Sequence, residues 1–184
     1  MELTPDSILN NRYKIIRKLG QGGMGAVFEA YDQTLETQVA VKTNFNPAPE
    51  SVAQFLQEAR LLASLKHPNL PRVTDYFVMG NEQFLVMDFI PGDDLGKRAK
   101  PGEMMAVDDV LGWSLKLSDA LAYLHRQNPP VIHRDIKPAN IKITPAGELF
   151  LVDFGIAKAS GNAQQTAVGA AGYTPGFAPP NNLD

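Results

Sequence analysis

The stretch Gly20-Gln21-Gly22-Gly23-Met24-Gly25 limits the possible folds more than any other part of the chain. Glycine sits where a backbone must turn sharply or be closely approached. A Gly-x-Gly-x-x-Gly cluster that opens a helix points to a dinucleotide fold, because the helix N-terminal N–H groups then meet a pyrophosphate. No helix pattern follows here. "YKIIRKL" precedes the cluster and "AVFEAYD" follows it, with Val27, Glu29 and Tyr31 on one side and Phe28 and Ala30 on the other. No Gly-Lys-Ser/Thr is present either, which excludes a P-loop. The pattern is a glycine-rich β-hairpin whose backbone amides could lie over phosphates. A simple flexible hairpin would explain the glycines equally well on their own.

The rest of the chain reads as α+β. "TQVAVKT" is a third strand, and "NPAP" breaks the chain after it. Ser51 with Gln54 resembles a capping box, and Val52, Phe55, Leu56, Ala59, Leu62 and Leu65 repeat at helical spacing until His67-Pro68-Asn69. "RVTDYFVMG" and "EQFLVMDFI" read as two more strands around a Gly80-Asn81 turn, and Pro91-Gly92 as a hinge. A second helix fits Asp108 to Arg126, with Val110, Trp113, Leu117, Leu121 and Leu124 as its buried stripe and Leu111 and Leu115 beside it. Short strands fit "VIH", "IKIT" and "LFLVD", with a turn at Pro145-Ala146-Gly147. Residues 159–176 are small, polar and glycine-rich, and read as a mobile loop. The expected organisation is an N-terminal extension over 1–12, a lobe with a five-stranded sheet and one helix over 13–90, and a mainly helical lobe over 91–184.

Composition narrows the function classes. A net charge of −3 over 184 residues gives no footprint for nucleic acid or an anionic membrane surface. The absence of cysteine excludes disulfides, thiolate zinc sites and cysteine nucleophiles, and fits a reducing compartment such as the cytoplasm. No apolar run approaches the roughly 20 residues of a membrane-spanning helix, and "MELTPDSILNNRYK" lacks the apolar stretch of a signal peptide.

Three further segments carry chemistry. Lys42 ends the apolar strand "VAVK", and Glu58 stands beside the apolar stripe of the next helix, where it can point toward the sheet as a partner. "HRDIKPAN", His133 to Asn140, gathers a carboxylate, an ammonium and an amide in one loop. Asp135 can take a hydroxyl proton, Lys137 can neutralise a transferring phosphate, and Asn140 can ligate a hard cation through oxygen. "DFG", Asp153 to Gly155, adds a second oxygen ligand for magnesium.

The four segments, in this order and spacing, resemble the signature set of the protein kinases, of the eukaryotic-like serine/threonine branch found in bacteria. Lys137, two residues after Asp135, places the resemblance with the serine/threonine rather than the tyrosine branch. The likeness runs from about Tyr13 to Pro180. It implies a two-lobe fold, complete in its β-rich N-lobe and partial in its helical C-lobe, and the cofactors ATP and Mg²⁺. Leu19, Gly20, Gln21, Gly22, Gly23, Met24, Gly25, Ala26 and Val27 would roof the nucleotide, and Val27 and Ala40 would touch adenine. Lys42 would hold the α- and β-phosphates and pair with Glu58. Met87 falls at the gatekeeper, the backbone of Asp88 and Ile90 would bond adenine, and Asp94 would lie near the ribose. Asp135 would be the catalytic base, with Lys137 and Asn140 completing the catalytic set and Asn140 and Asp153 holding magnesium. Leu62, Val73, His133 and Phe154 match a stacked apolar spine.

The chain also departs from the family pattern. Lys142 stands where an apolar residue usually lies under adenine; its stem can pack there while the ammonium reaches solvent. Ala139 removes an acidic reader of basic substrates. "APP" and Asn181 replace the usual Ala-Pro-Glu ending, and the family's later helices do not follow. The implied consequence is reduced turnover in this chain, with a missing C-lobe or a partner chain covering the lower face. In the loop after Asp153, Thr166, then Ser160, are the expected phosphate acceptors opposite Arg134, and Thr174 a structural threonine. The expected partners are proteins phosphorylated on serine or threonine. A pseudokinase-like module that binds nucleotide or a partner, and a small-molecule phosphotransferase, are the alternatives.

Overall fold

The computed structural model describes residues 3–22, 25–44, 46, 48–98 and 104–153. The chain divides into two units: residues 1–66 with 71–90, and residues 67–70 with the chain from Pro91 onward.

Among the described residues, the first unit is an antiparallel sheet carrying one helix. Its strands are β1 (Ile8–Leu9), β2 (Tyr13–Gly22), β3 (Gly25–Asp32), β4 (Thr37–Asn44), β5 (Val73–Met79) and β6 (Glu82–Asp88), in the spatial order β1-β2-β3-β4-β6-β5. The sheet thus has six strands where the sequence pattern shows five. The extra one comes from the N-terminal extension: Ile8 pairs with Lys14 and Leu9 with Tyr13. Two residues are too few to display alternation, so β1 leaves no periodic signal. Alternation builds the core elsewhere. Phe28, Val41 and Val86 stand opposite one another across β3, β4 and β6, and with Tyr13, Ile15, Ala26, Ala30, Val39 and Phe84 they bury one face of the sheet. The rings of Tyr13, Phe77 and Phe84 continue it, stacked at 5.6 and 5.0 Å.

A polar cluster closes the strand ends. Arg12 donates to both carboxylate oxygens of the buried Asp32 at 2.8 and 2.7 Å, and the Tyr13 hydroxyl donates to Asp75 at 2.6 Å. The hydrogen bonds from Arg12 hold the Asp32 carboxyl below the usual carboxylate range, while burial, then Asp75, pushes the Tyr13 phenol up. A carboxyl depressed in the folded state adds stability that is complete above about pH 4 and lost as the pH falls through its folded value. Asp32→Asn is therefore expected to flatten the acid limb of a urea-midpoint profile below about pH 4. An unchanged limb would contradict the assignment.

Helix α1 (Pro49–Ser64) packs on β4, β5 and β6 through Phe55, Glu58, Ala59 and Leu62. It starts two residues before the expected capping box. Proline at the first helical position has no N–H to satisfy and a preset φ, so the helix opens at Pro49 behind Ala48 with no side-chain cap. Ser51 instead faces Asn44.

The second unit holds β7 (Asp93–Asp94), α2 (Leu95–Arg98), α3 (Val107–His125), a 3-10 turn at Pro138–Asn140, β8 (Ile141–Ile143) and β9 (Leu149–Leu151), with β7-β8-β9 as a small sheet. Helix α3 packs on β9. Of its expected stripe only Leu124 is fully buried, together with Ala120; Val110 is exposed, and Leu111 and Leu115 are 57% and 72% exposed. "VIH" is not a strand: the Val131 N–H bonds to the Leu124 carbonyl and closes the end of α3 instead. The third strand comes from Asp93–Asp94, opposite Ile143 and Lys142. The expected mobile loop over 159–176, with Ser160, Thr166 and Thr174, lies outside the described residues, as do Phe154, Asn181 and the chain end.

Candidate active site

In the first unit the glycine cluster is the tip of the β2–β3 hairpin. Gly20 pairs with Val27, Gln21 with Ala26 and Gly22 with Gly25. Leu19 is 38% exposed; Gly23 and Met24 lie outside the described residues. The glycines have different reasons. A Cβ at Gly25 would stand 1.9 Å from the Thr43 carbonyl oxygen, whereas at Gly20 and Gly22 it would meet nothing within 4 Å. Gly25→Ala is therefore expected to destabilise the hairpin by about 1–3 kcal/mol. Gly20→Ala and Gly22→Ala should leave the melting temperature nearly unchanged. If either weakens nucleotide binding without loss of stability, the glycine is there for the ligand's approach.

Strand β4 places Lys42 between Val27 on β3 and Leu85 on β6. Its Nζ reaches Glu58 Oε1 at 2.8 Å, with the Glu58 side chain 3% exposed and that of Lys42 24% exposed. The expected pair is formed. Ala40 lies opposite Met87, so Val27, Ala40, Lys42 and Met87 share one face of the sheet. Asp88 is held by Arg72: Nε donates to Oδ2 at 3.0 Å, and the Asp88 N–H donates to the Arg72 carbonyl at 2.9 Å. That leaves its carbonyl as the Asp88 backbone group for a base, with Ile90 buried two residues on.

In the second unit the catalytic-type loop is tied up by its own side chains. The Asp135 carboxylate accepts from Lys137 Nζ at 2.9 Å and from Asn140 Nδ2 at 3.0 Å. The same Nδ2 donates to the Asp135 carbonyl at 2.8 Å, which leaves Oδ1 of the buried Asn140 for a cation. The Val152 N–H bonds to the Asn140 carbonyl at 2.8 Å, and Asp153 follows next in the chain. Arg134 and Asp153 adopt the left-handed region, with φ of 62° and 56°. Strained backbone of this kind clusters at functional sites. His133 is buried, as a structural histidine would be, and Ala139 is exposed.

One amide oxygen and one carboxylate suit magnesium, which keeps several waters and takes one or two carboxylates beside substrate phosphates. Among the described residues no group of three or more histidine, cysteine or acidic side chains forms a denser metal site.

Asp94 accepts from the Lys97 N–H at 3.0 Å and opens α2. Lys142, opposite it on β8, donates to the Gly92 carbonyl at 2.9 Å. Gly92 has φ of +96°, and a Cβ there would lie 2.2 Å from the Ile143 carbonyl oxygen. Two contributors escaped sequence reasoning. His67-Pro68-Asn69 signalled only a helix end, yet the Asn69 side chain donates to the Leu149 carbonyl at 2.8 Å and its own carbonyl accepts from Leu151. His67 accepts the Asn69 N–H at Nδ1, which puts its proton on Nε2, 3.1 Å from Asp119. These bonds hold β9 and hence the approach to Asp153. Asn44 and Gln83, buried opposite one another on β4 and β6, are the other pair.

The protein kinase domain family matches residues 13–183. The serine/threonine-protein kinase PknA of Mycobacterium tuberculosis is 37% identical over 169 residues, covering 88% of this chain and 39% of that protein. Probable serine/threonine-protein kinases of Clostridium acetobutylicum and Streptomyces coelicolor are 34% and 36% identical, over 91% and 86% of this chain and 26% and 24% of theirs. The chain thus spans about a quarter to two fifths of the curated relatives it matches. Among solved structures, the apo form of PpkA-294 is 28% identical with a TM-score of 0.73, over 85% of this chain and 62% of that one. The kinase domain of PknI from Mycobacterium tuberculosis is 27% identical with a TM-score of 0.69, over 86% and 64%. No described helix is long and apolar enough to cross a membrane. With the motifs, the two units and these relatives in agreement, the chain belongs to the protein kinase domain family, in its bacterial serine/threonine branch.

Proposed function

We propose that the chain binds Mg·ATP and transfers the γ-phosphoryl group to serine or threonine hydroxyls of proteins. The observation that carries this reading is the Asp135 carboxylate, held at once by Lys137 and Asn140. Three groups fixed in one loop provide a proton acceptor, a cation for phosphate charge and an amide oxygen for a metal, so that positioning is complete before the substrate arrives.

In the first unit, Lys42, oriented by Glu58, holds the α- and β-phosphates, and the backbones of Gly20 and Gly22 approach them closely. Val27, Ala40 and Met87 contact the base, and Asp88 and Ile90 bond its edge. In the second unit, Asn140 and Asp153 hold Mg²⁺, which neutralises phosphate charge when bound. Asp135 orients the hydroxyl and takes its proton. The Oγ–P bond forms as the bond between the γ-phosphorus and its bridging oxygen breaks, and ADP leaves with the electron pair. The proton passes from Asp135 to solvent. Lys137 meets the charge on the transferring group. The setting proposed is the cytoplasm, where ATP is held.

The nucleotide half is tested by melting. Mg·ATP at a hundred times its dissociation constant adds about 2.7 kcal/mol to a protein that binds it, a shift of several degrees. Chelating magnesium, or Asp153→Asn, is expected to remove most of that shift. A melting temperature indifferent to Mg·ATP would sink the proposal.

A further inference from the structure

Helix α1 carries Glu58, yet it has few apolar anchors. Among the described residues its buried side chains are Phe55, Glu58, Ala59 and Leu62. None lies in the first turn, and no side chain caps it. A polar cluster holds this end instead. Asn44, at the end of β4, stands opposite Gln83 on β6. The two are 6% and 3% exposed. Asn44 Nδ2 approaches Ser51 Oγ at 3.1 Å and Gln83 Oε1 at 3.3 Å, while its Oδ1 accepts from the Asn46 N–H at 3.1 Å. Gln83 Nε2 donates to the Val52 carbonyl at 3.1 Å and to the Tyr76 hydroxyl.

We propose that Asn44, Ser51 and Gln83 are positioning residues, a polar latch that fixes the first turn of α1 on the sheet and so holds Glu58 against Lys42. The direction of the bonds is what carries this. An apolar contact tolerates sliding, whereas two buried amides keep their partners only at one helix position and are costly to strand without them. Ser51 and Val52 lie two turns before Glu58 on the same rigid helix. Lys42 lies two residues before Asn44 on the same strand. Any outward movement of the first turn separates the amides from α1 and withdraws Glu58 together with it. The consequence for nucleotide rests on the proposed function; the latch itself does not.

The test uses the full chain with lysine side chains isotope-labelled for magnetic resonance. Gln83→Leu and Ser51→Ala are expected to speed amide exchange in α1 about tenfold relative to the sheet. Both should also move the Lys42 Cε resonance toward its position in Glu58→Gln. Ser51→Thr, which keeps the hydroxyl, should restore the parent resonance. Mg·ATP affinity is expected to fall roughly three- to tenfold in the first two variants and to recover in the third. Should Gln83→Leu fail to fold, Ser51→Ala alone decides, because its side chain is only half-buried. The proposal is overturned if the Lys42 resonance moves in Glu58→Gln but stays at the parent position when the latch is broken. Failure of the parent chain to bind Mg·ATP would count against the functional reading alone, since exchange and resonance need no nucleotide.

Discussion

Asp135→Asn is expected to lower phosphoryl transfer by about 10²–10⁴-fold, the usual contribution of a positioned general base, with the Mg·ATP dissociation constant unchanged within about threefold. The substitution keeps shape and the acceptor oxygen for Lys137 and Asn140, both within 3.0 Å in the parent. It removes the charge and the proton acceptor. The Lys137–Asp135 pair is partly exposed, with side chains 26% and 23% accessible, so the stability change should stay below about 1 kcal/mol. Single-turnover transfer measured beside nucleotide titration separates the two effects. Equal losses in affinity and rate would show that Asp135 supports the nucleotide site rather than the chemistry.

Lys42→Met is the second large effect, and it has two parts that a double substitution divides. It leaves the Glu58 carboxylate, 3% exposed, without its cation. Breaking a buried pair from one side costs on the order of 3 kcal/mol; replacing both partners with well-packed apolar groups of similar volume is often neutral. Stability should therefore fall in Lys42→Met and return to within about 1 kcal/mol of the parent in Lys42→Met with Glu58→Met. Nucleotide affinity should not return. Both variants lack the charge-assisted phosphate contact, worth about 1.5–3 kcal/mol, and should bind Mg·ATP at least about tenfold more weakly. Urea unfolding and Mg·ATP titration of the four proteins complete the cycle. Recovery of affinity in the double variant would mean that Lys42 matters only as the partner of Glu58.

How much of this was legible in the sequence follows from how each signal arises. The hairpin, Lys42 and Glu58 were readable because alternation on β3 and β4 and helical spacing on α1 fix which side each residue faces. The loop from Asp135 to Asn140 was readable because its chemistry is contiguous in the chain. What escaped depends on contacts between distant residues. β1 is two residues long and acquires meaning only through Tyr13 and Lys14. β7 is a pair of aspartates, poor strand formers, which enter a sheet because Gly92 turns with positive φ against Ile143 and Lys142 reaches back to its carbonyl. Asn44 and Gln83 are 39 residues apart, and each alone reads as a polar residue on a strand. The exposure of Val110, Leu111 and Leu115 on α3 shows the converse: apolar spacing marks faces able to bury, and neighbours decide which of them does.

The most direct test of the central claim is to incubate the chain with γ-labelled ATP, magnesium and a generic protein acceptor, and then to identify the amino acids that carry label. The expected result is acid-stable label on phosphoserine and phosphothreonine, lost on chelation of magnesium and lost in Asp135→Asn. Label released only as inorganic phosphate, or protein label that survives Asp135→Asn unchanged, would contradict the assignment of this chain as a serine/threonine kinase that works through Asp135.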